Sequence, residues 1–516
     1  MAVSPILKGF DRSVGEAADR LEQFLRRPGV LPVLIILLWA CAVLPNLTVR
    51  SFIYEEGTNA EIARDVLANG HFLQPFVYGI RWHEKPSLLG WLIAGFALLT
   101  GGVNEWSARL PAMLSVLVTA LLVQRVTRRY ASLTASLFAA LCFLFCPLLL
   151  QKLTIAEPDT LITALSFAAF VLWWEGEASG HVTIKRWFGC GLLLAALAMA
   201  KGPQPAAFFA LGVFAYLLIE RRWRELPGFV LCMIIPAAAT LAWGAAIYQP
   251  GDEGIWLAYT RLLNRPTFFS YIARSTRNIG SLFLELLPAS LMLPFVPWPW
   301  RRVRNTTDVP AVVAPLILYS GLCTAILMLW PGVNTRYAMP IAPSLAVLAG
   351  IGWDSLNKSR YAVVKRVTGT MLCLLVIYQI VLVVVIMPLF AERFGETRLA
   401  AKAIEAAIRA APAPTYCLRL DTNVFFYLHE PLRCLDLHGM ATLSPPAWLL
   451  MPHSAVMEFA RLRPDLDVRI AVDGLLKFQL AAAVSTRSEN RKVDRKTATR
   501  SYSGFQSVLK LPTIAR

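Results

Sequence analysis

Charge is what this chain has least of. Only 16% of its 516 residues are Asp, Glu, Lys or Arg, against 56% hydrophobic, and mean hydropathy is +0.54. That balance excludes a single soluble domain of this length. Acids are scarcer than bases, 33 against 50, which leaves a formal charge of +17. Such an excess suits nucleic acid, anionic lipid or the orientation of a polytopic chain, and the hydropathy selects the bilayer. Metal-ligand spacing is missing from the nine cysteines, and all but Cys417 and Cys434 sit inside apolar runs as small core hydrophobes. Those two lie in a polar tail, where export would permit a disulfide. No small-residue cleavage site follows the first apolar run, so it reads as an uncleaved first span with a cytoplasmic N-terminus. Repeats and low-complexity tracts are lacking as well.

What the chain does have is apolar runs, at about 30–47, 110–124, 131–150, 160–174, 187–200, 203–219, 226–248, 282–300, 311–330, 338–353 and 367–390. Each is long enough, or nearly so, to cross about 30 Å of hydrocarbon. Assigning alternate loops to the cytoplasm gathers Arg125, Arg128 and Arg129; Lys185 and Arg186; Arg221, Arg222 and Arg224; Arg301, Arg302 and Arg304; and Lys358, Arg360, Lys365 and Arg366 on one side. This is the positive-inside pattern, and an odd span count then leaves the C-terminal tail outside. The run 86–102 would invert that order as a full crossing, so it is expected at the outer interface, with Trp82, Trp91 and Trp106 at headgroup depth. The expected fold is an all-α polytopic membrane domain of about 11–13 transmembrane helices with a small C-terminal α/β periplasmic domain. Its divisions are 1–29, a cytoplasmic amphipathic segment; 30–390, the membrane domain with a first outer loop at 50–109; and 391–516. In the last part a helix is expected at 396–411 and strands at 415–420, 424–428, 447–451 and 468–472, followed by a basic solvated or headgroup-facing stretch at 487–500.

With this topology the unusual polar residues collect outside: Tyr54-Glu55-Glu56, Arg81-Trp82-His83-Glu84-Lys85-Pro86, Glu157-Pro158-Asp159, Lys201-Gly202-Pro203, the stretch 252–277 and Asn334-Thr335-Arg336-Tyr337. Charges deep inside the runs are almost absent, which argues against an ion-coupled pump and for a site at the outer face. Acids beside Lys and Arg there suit transfer of a group from a lipid phosphate, a carboxylate taking the acceptor's proton while cations stabilise the departing phosphate. Each residue also has a plainer role. Glu55 and Glu56 fit a helix first turn, and Asp159 fits the N-cap of a span starting at Thr160. Lys85, Arg81 and Arg336 fit interfacial anchors. Lys201-Gly202-Pro203 fits a tight turn with Pro203 opening the next helix. His83 and Glu84 are two neighbours of metal-ligand type, short of a site by themselves.

The stretch Tyr54-Glu55-Glu56-(x3)-Ala60-Glu61-Ile62-Ala63-Arg64-Asp65, then Asn69-Gly70, Pro75, Gly79, Glu84-Lys85-Pro86 and Trp91, resembles the first outer loop of GT-C type membrane glycosyltransferases. The nearest group holds the lipid A aminoarabinose and galacturonic acid transferases and, more distantly, protein O-mannosyltransferases. Glu157-Pro158-Asp159, Lys201-Gly202-Pro203 and Arg336-Tyr337-(x2)-Pro340-(x2)-Pro343 follow in the family's order, so the resemblance runs over about 30–390. It implies a polyprenyl-phosphate sugar donor, a glycolipid (lipid A or LPS core-like) or glycan acceptor, and an active site at the periplasmic face of a bacterial inner membrane. Carried over by residue, Glu55, Glu56 and Asp159 become catalytic candidates, and Lys85, Glu84, Arg81, Lys201, Arg336 and Tyr337 become donor-phosphate or substrate ligands. Thr58 and Asn59 replace the Arg and Tyr usual in the aminoarabinose transferases, and a later Glu-His pair is not evident around Arg261 to Arg265. The sugar and any divalent metal therefore stay open. The rival readings are protein O-glycosylation and a non-catalytic transporter or flippase of lipid-linked sugars.

Overall fold

The computed structural model describes residues 20, 22–250, 268–297, 309–329, 334–356, 362–418, 422–428, 432–435, 439, 441–451, 453–476 and 479–486. The expectations for most of 1–29, for 252–267, for the loop bearing Arg301, Arg302 and Arg304, for Lys358 and Arg360, and for 487–500 lie outside the described residues. The chain forms two compact units. The first is Met1–Arg50, Ile62–Phe76 and Arg81–Ala391; the second is Ser51–Glu61, Val77–Ile80 and Glu392–Arg516.

The first unit is helical, because its apolar side chains leave nothing in a bilayer to bond the backbone except the helix itself. Among the described residues three helices are long and apolar enough to cross alone: Glu105–Thr127, Trp223–Ile247 and Ala362–Leu389. Five shorter apolar helices are Val30–Val43, Leu88–Thr100, Leu133–Leu144, Ala206–Ile219 and Val313–Met328. Asp159–Glu177 and Ile184–Lys201 carry charge at both ends, Asp159 against Glu175 and Glu177, and Lys201 against Lys185 and Arg186. Close crossings are made by glycine: Gly212 lies so near the Tyr319 backbone that a Cβ there would stand 2.6 Å from Tyr319 Cα. Small residues at such crossings let apolar helices gain dispersion contact where lipid offers no hydrophobic driving force. The Tyr319 hydroxyl, buried in this crossing, pairs with Ser166 Oγ at 2.8 Å.

Several expected runs are broken. The run 131–150 is a helix Leu133–Leu144 that stops before Pro147 opens the short turn Pro147–Leu150. The run 282–300 is not one straight span: Ile272–Glu285 and Ala289–Phe295 meet at 94°. Pro288, which has no N–H to continue the helix, stands at the break, and Ser290 Oγ donates to the freed Phe283 carbonyl at 2.8 Å. The run 338–353 opens as a 3-10 turn, Thr335–Ile341, before the helix Ala342–Ser355. Leu88–Thr100 is a 13-residue helix, too short for a full crossing by itself.

One end of this bundle is braced by the few acids that face its basic loops. Glu175 accepts from Arg125 at 2.9 Å and Arg129 at 2.8 Å, Glu177 pairs with Arg222 at 2.5 Å, and Asp354 accepts from Ser132 N and Oγ at 2.7 and 2.6 Å. Asp159 opens the helix that carries Glu175 and Glu177 at its other end, with Glu157 two residues before it, and Lys201 ends the helix Ile184–Lys201.

Earlier in the chain β1 Phe76–Val77 and β2 Ile80–Arg81 form a two-stranded ribbon; in the second unit β3 Thr415–Cys417, β4 Arg433–Cys434, β5 Ala447–Met451, β6 Leu466–Leu476 and β7 Gln479–Thr486 form a five-stranded sheet in the order β4-β3-β5-β7-β6. β3 pairs in parallel with β4 and β5, and β7 runs antiparallel to β5 and β6. Cys417 lies opposite Cys434 across β3 and β4, and the two are joined as a disulfide. The helix Glu396–Ala410 lays Ala401, Ile404 and Ile408 on Trp448 and Leu450 of β5. One expected strand, 424–428, is corrected: its first three residues end a short helix, Thr422–Phe426, and 427–428 follow it as a turn. Its β-branched and aromatic residues read as a strand by propensity, but burial of Val424 and Phe425 beside Ile404 overrides that preference.

The same unit contains the first turns of the helix Glu56–Asn69. Gly57 N donates to Asn423 Oδ1 at 3.0 Å, Thr58 and Thr422 hydroxyls stand 2.7 Å apart, and Asn423 Nδ2 donates to the Tyr54 carbonyl at 2.8 Å. A Cβ on Gly57 would collide with the Thr422 carbonyl.

Candidate functional site: a charge cluster at one end of the helical unit

Two acids anchor the cluster. Asp159 is the first residue of its helix and is 2% exposed; Pro158 holds the N-cap position with no side-chain cap bond. The expected capping role of Asp159 is therefore not seen; its carboxylate pairs with the Lys201 ammonium instead. Glu157, 3% exposed, pairs with Lys152 and stands 3.9 Å from Arg336 Nη1. Its other oxygen, Oε1, is buried without a hydrogen-bond partner among the described residues.

The cations come from separate elements. Lys201 ends the helix Ile184–Lys201, where its charge complements the carbonyl end of the dipole. Gly202 follows at φ +91, a left-handed turn that suits glycine. The next helix begins at Ala206 behind Pro205, so Pro203 does not open it, contrary to the sequence expectation. Arg336 and Tyr337 lie in the 3-10 turn, set by Asn334, whose side chain accepts from Arg336 N at 3.1 Å. The Tyr337 ring receives two cations, Lys201 Nζ at 4.8 Å and Arg336 Cζ at 5.4 Å from its centroid. Burial pulls the Arg336 guanidinium toward neutrality, but its bond to Tyr337 and the charges of Asp159 and Glu157 outweigh that and raise its pKa above the usual value.

The acids are thus buried beneath, while the Lys152, Lys201 and Arg336 side chains are 10%, 19% and 32% exposed. An anion approaching from solvent meets the positive layer first, and each cation is held in place by a carboxylate below it.

The other sequence candidates are placed as follows. Arg81 donates to Gln249 Oε1 at 2.5 Å, Gln74 Oε1 at 3.0 Å and the Ile247 carbonyl at 2.7 Å, which ties the loop to the carbonyl end of the helix Leu226–Ile247. His83 and Lys85 are half-buried and Glu84 is exposed, all in the first unit. Glu55 and Glu56 belong to the second unit. Glu56 is fully buried and its Oε2 accepts from Ile53 N at 3.1 Å, an orphan donor ahead of the helix, and Asn59 Nδ2 donates to the Glu55 carbonyl at 3.0 Å. Among the described residues no group of three His, Cys, Asp or Glu could hold a metal ion. Among those residues no third ligand of this type joins His83 and Glu84.

Sequence reasoning missed two members of the cluster. Glu157 was visible in the Glu-Pro-Asp motif, yet only Asp159 was singled out; the signal was a carboxylate one residue before a proline at the mouth of a span. Lys152, an isolated cation closing an apolar run five residues before Glu157, offered a weaker one. Asp65 was read only as part of a motif, and it organises the loop after its helix by accepting from His71 Nδ1 at 3.0 Å, Asn69 Nδ2 at 2.8 Å and Phe76 N at 3.0 Å.

Residues 84–243 match the family described as dolichyl-phosphate-mannose-protein mannosyltransferase. Among curated proteins the chain is similar to the undecaprenyl phosphate-alpha-4-amino-4-deoxy-L-arabinose arabinosyl transferase of Enterobacter sp. (strain 638), 30% identical over 57% of this chain and 54% of that one. It is likewise similar to arabinosyl transferase 1 of the same description from Pseudomonas fluorescens, 25% identical over 66% of this chain and 61% of that one. The chain spans about half the length of the first of these curated relatives. Among solved structures it shares its fold with ArnT from Cupriavidus metallidurans, at 17% identity and a TM-score of 0.63 over 88% of this chain and 97% of that one. A second structure of that protein, bound to undecaprenyl phosphate, aligns with a TM-score of 0.62 and the same coverage. With its apolar helices, this fold makes the chain a multi-pass membrane protein.

Proposed function

We propose that the protein is a glycosyltransferase that moves one sugar from a polyprenyl-phosphate donor to a hydroxyl or phosphate of an outer-facing glycolipid or glycan. The observation that carries this reading is the layered cluster, in which Glu157 and Asp159 lie beneath Lys152, Lys201 and Arg336. Cations fixed in this way act on charge that develops on a departing phosphate without reorganising during the reaction. The similarity to arabinosyl transferases that use an undecaprenyl-phosphate sugar supports the donor class, as does the undecaprenyl phosphate bound to the ArnT fold.

In the reaction the acceptor oxygen bonds to the anomeric carbon and its proton passes to a carboxylate. The bond from that carbon to the phosphate oxygen breaks, and its electron pair leaves with the polyprenyl phosphate. Glu55 is assigned the proton, with Asp159 in reserve and Glu56 beside it as a further catalytic candidate, and Lys85 the donor phosphate, with Glu84 and Arg81 as further donor or substrate ligands. Lys201, Arg336 and Tyr337 form the positive rim of the cluster. The reaction takes place at the periplasmic face of a bacterial inner membrane, with the 391–516 unit, α/β in character, on the same side. The disulfide between Cys417 and Cys434 fits an oxidising compartment.

Reconstitution with a defined polyprenyl-phosphate sugar and extracted envelope glycolipids tests the reading by mass spectrometry of the products. Glu55→Gln should keep the fold and donor binding and lose transfer by two orders of magnitude or more, roughly the range of general-base catalysis. Full transfer by Glu55→Gln, with loss in an Asp159→Asn protein that still shows the wild-type fold and donor binding, moves the base to Asp159. A wild-type protein that carries the donor across vesicles and transfers nothing is a flippase.

A further inference from the structure

Beside the charge cluster lies an open pocket of about 410 Å³, lined by Arg274, Arg277, Asn278, Ser281, Glu285, Asn334 and Thr335. The spacing 274, 277, 278, 281 and 285 places these side chains on one face of the helix Phe268–Glu285. Its other wall ends at Thr335, directly before Arg336 of the cluster.

Two features point to an anion here. Arg274 and Arg277, both exposed, form no ion pair among the described residues. Like charges three residues apart on a helix repel, so the pair is unfavourable until a counter-charge lies between them. The nearest acid on the same helix, Glu285, follows Arg277 by about 12 Å of helix axis at 1.5 Å per residue, and it already accepts from Thr335 Oγ1 at 2.9 Å. The second feature identifies what carries the anion. Ile272, Ile279 and Phe283 of this helix are 45%, 52% and 44% exposed. A helix with bare arginines on one face and bare aliphatic and aromatic side chains on the other suits an interface, where headgroup and acyl chain are met together.

We propose that this pocket holds the phosphate of a phosphorylated glycolipid acceptor, with the lipid chains along the apolar face. The assignment rests on the glycosyltransferase reading above, in which the donor's phosphate belongs to Lys85 and the cations of the cluster. Arg274 and Arg277 supply charge-assisted, bidentate donors to the phosphate oxygens, and Ser281 adds a hydroxyl. Glu285 at the far end disfavours a second anion.

The test compares wild type with Arg274→Gln/Arg277→Gln in reconstituted vesicles, using one glycolipid acceptor in its phosphorylated and phosphatase-treated forms. The double variant should raise KM for the phosphorylated acceptor about tenfold or more, leave the donor KM within about twofold, and erase the preference between the two acceptor forms. An unchanged acceptor KM, or a rise confined to the donor KM, overturns the proposal. If wild type transfers no sugar, the enzyme reading fails, and binding then judges the pocket alone. Phosphatidic acid in detergent micelles should raise the wild-type Tm where diacylglycerol does not, and the double variant should lose that rise. No rise in wild type refutes the pocket, and an equal rise with inorganic phosphate makes it a site for the free ion.

Discussion

Asp159 and Lys201 show how a single residue can be read correctly for its importance and wrongly for its contact. A helix-initiating aspartate suggests a cap, and the motif order suggests a site, but neither reveals that the carboxylate turns away from its own backbone toward a lysine 42 positions later. Long-range pairing of this kind depends on which span lies beside which, and no local pattern carries it. The pair is buried on its acidic side, so removing one partner leaves an uncompensated charge, at a cost of about 3–5 kcal/mol. Asp159→Asn and Lys201→Met should each destabilise the protein more than the Asp159→Asn/Lys201→Met double change. A double-mutant cycle by chemical denaturation in detergent measures this, and a coupling below about 0.5 kcal/mol would show that the two do not act as a pair. Glu157 was legible as a motif member, whereas Lys152 was hidden by its setting, a lone lysine that looks like an interfacial anchor.

At the scale of elements, apolar runs announced nearly every helix, because about 20 unbroken apolar residues have one stable conformation in lipid. What the runs did not announce was their interruption. Pro147 and Pro288 were in view, but hydropathy averages over them and cannot tell a tolerated proline from a 94° bend. Helix crossings were equally silent, since Gly212 and Gly244 look alike in sequence. A Cβ at Gly212 would meet Tyr319 at 2.6 Å, while Gly244 has nothing within 4 Å. Gly212→Val should therefore lower stability by about 1–3 kcal/mol through overpacking, and Gly244→Val should do far less. Thermal unfolding of the two variants side by side checks this; equal midpoints would mean the crossing is looser than described. In the second unit, 447–451 was legible as a strand from its apolar run, but Val424 and Phe425 deceived because they have strand propensity and a helical job.

For the molecule as a whole, the basic loops make a claim about sidedness that labelling can decide. Introduced cysteines at Glu84 and Arg128, in a protein whose native Cys41 and Cys373 are replaced, should differ: an impermeant maleimide added to intact spheroplasts reacts at Glu84 and spares Arg128. Reaction at Arg128 would reverse the orientation. Sequence order, by contrast, suggested a membrane part followed by a tail, whereas Ser51–Glu61 gathers with Glu392–Arg516. The Thr58–Thr422 contact spans 364 residues. At about 5–20 residues per second of synthesis, the first piece waits roughly 20–70 s for the ribosome to deliver its partner. In the proposed orientation the segment around Glu55 has by then left the translocon with Gly57 N and the Thr58 hydroxyl still hydrated, exposed to proteases and chaperones. A nonsense mutation near 391 would make that interval permanent, so such a truncation should be cleaved around Glu55 by protease added to the proposed outer side, while the full-length protein resists.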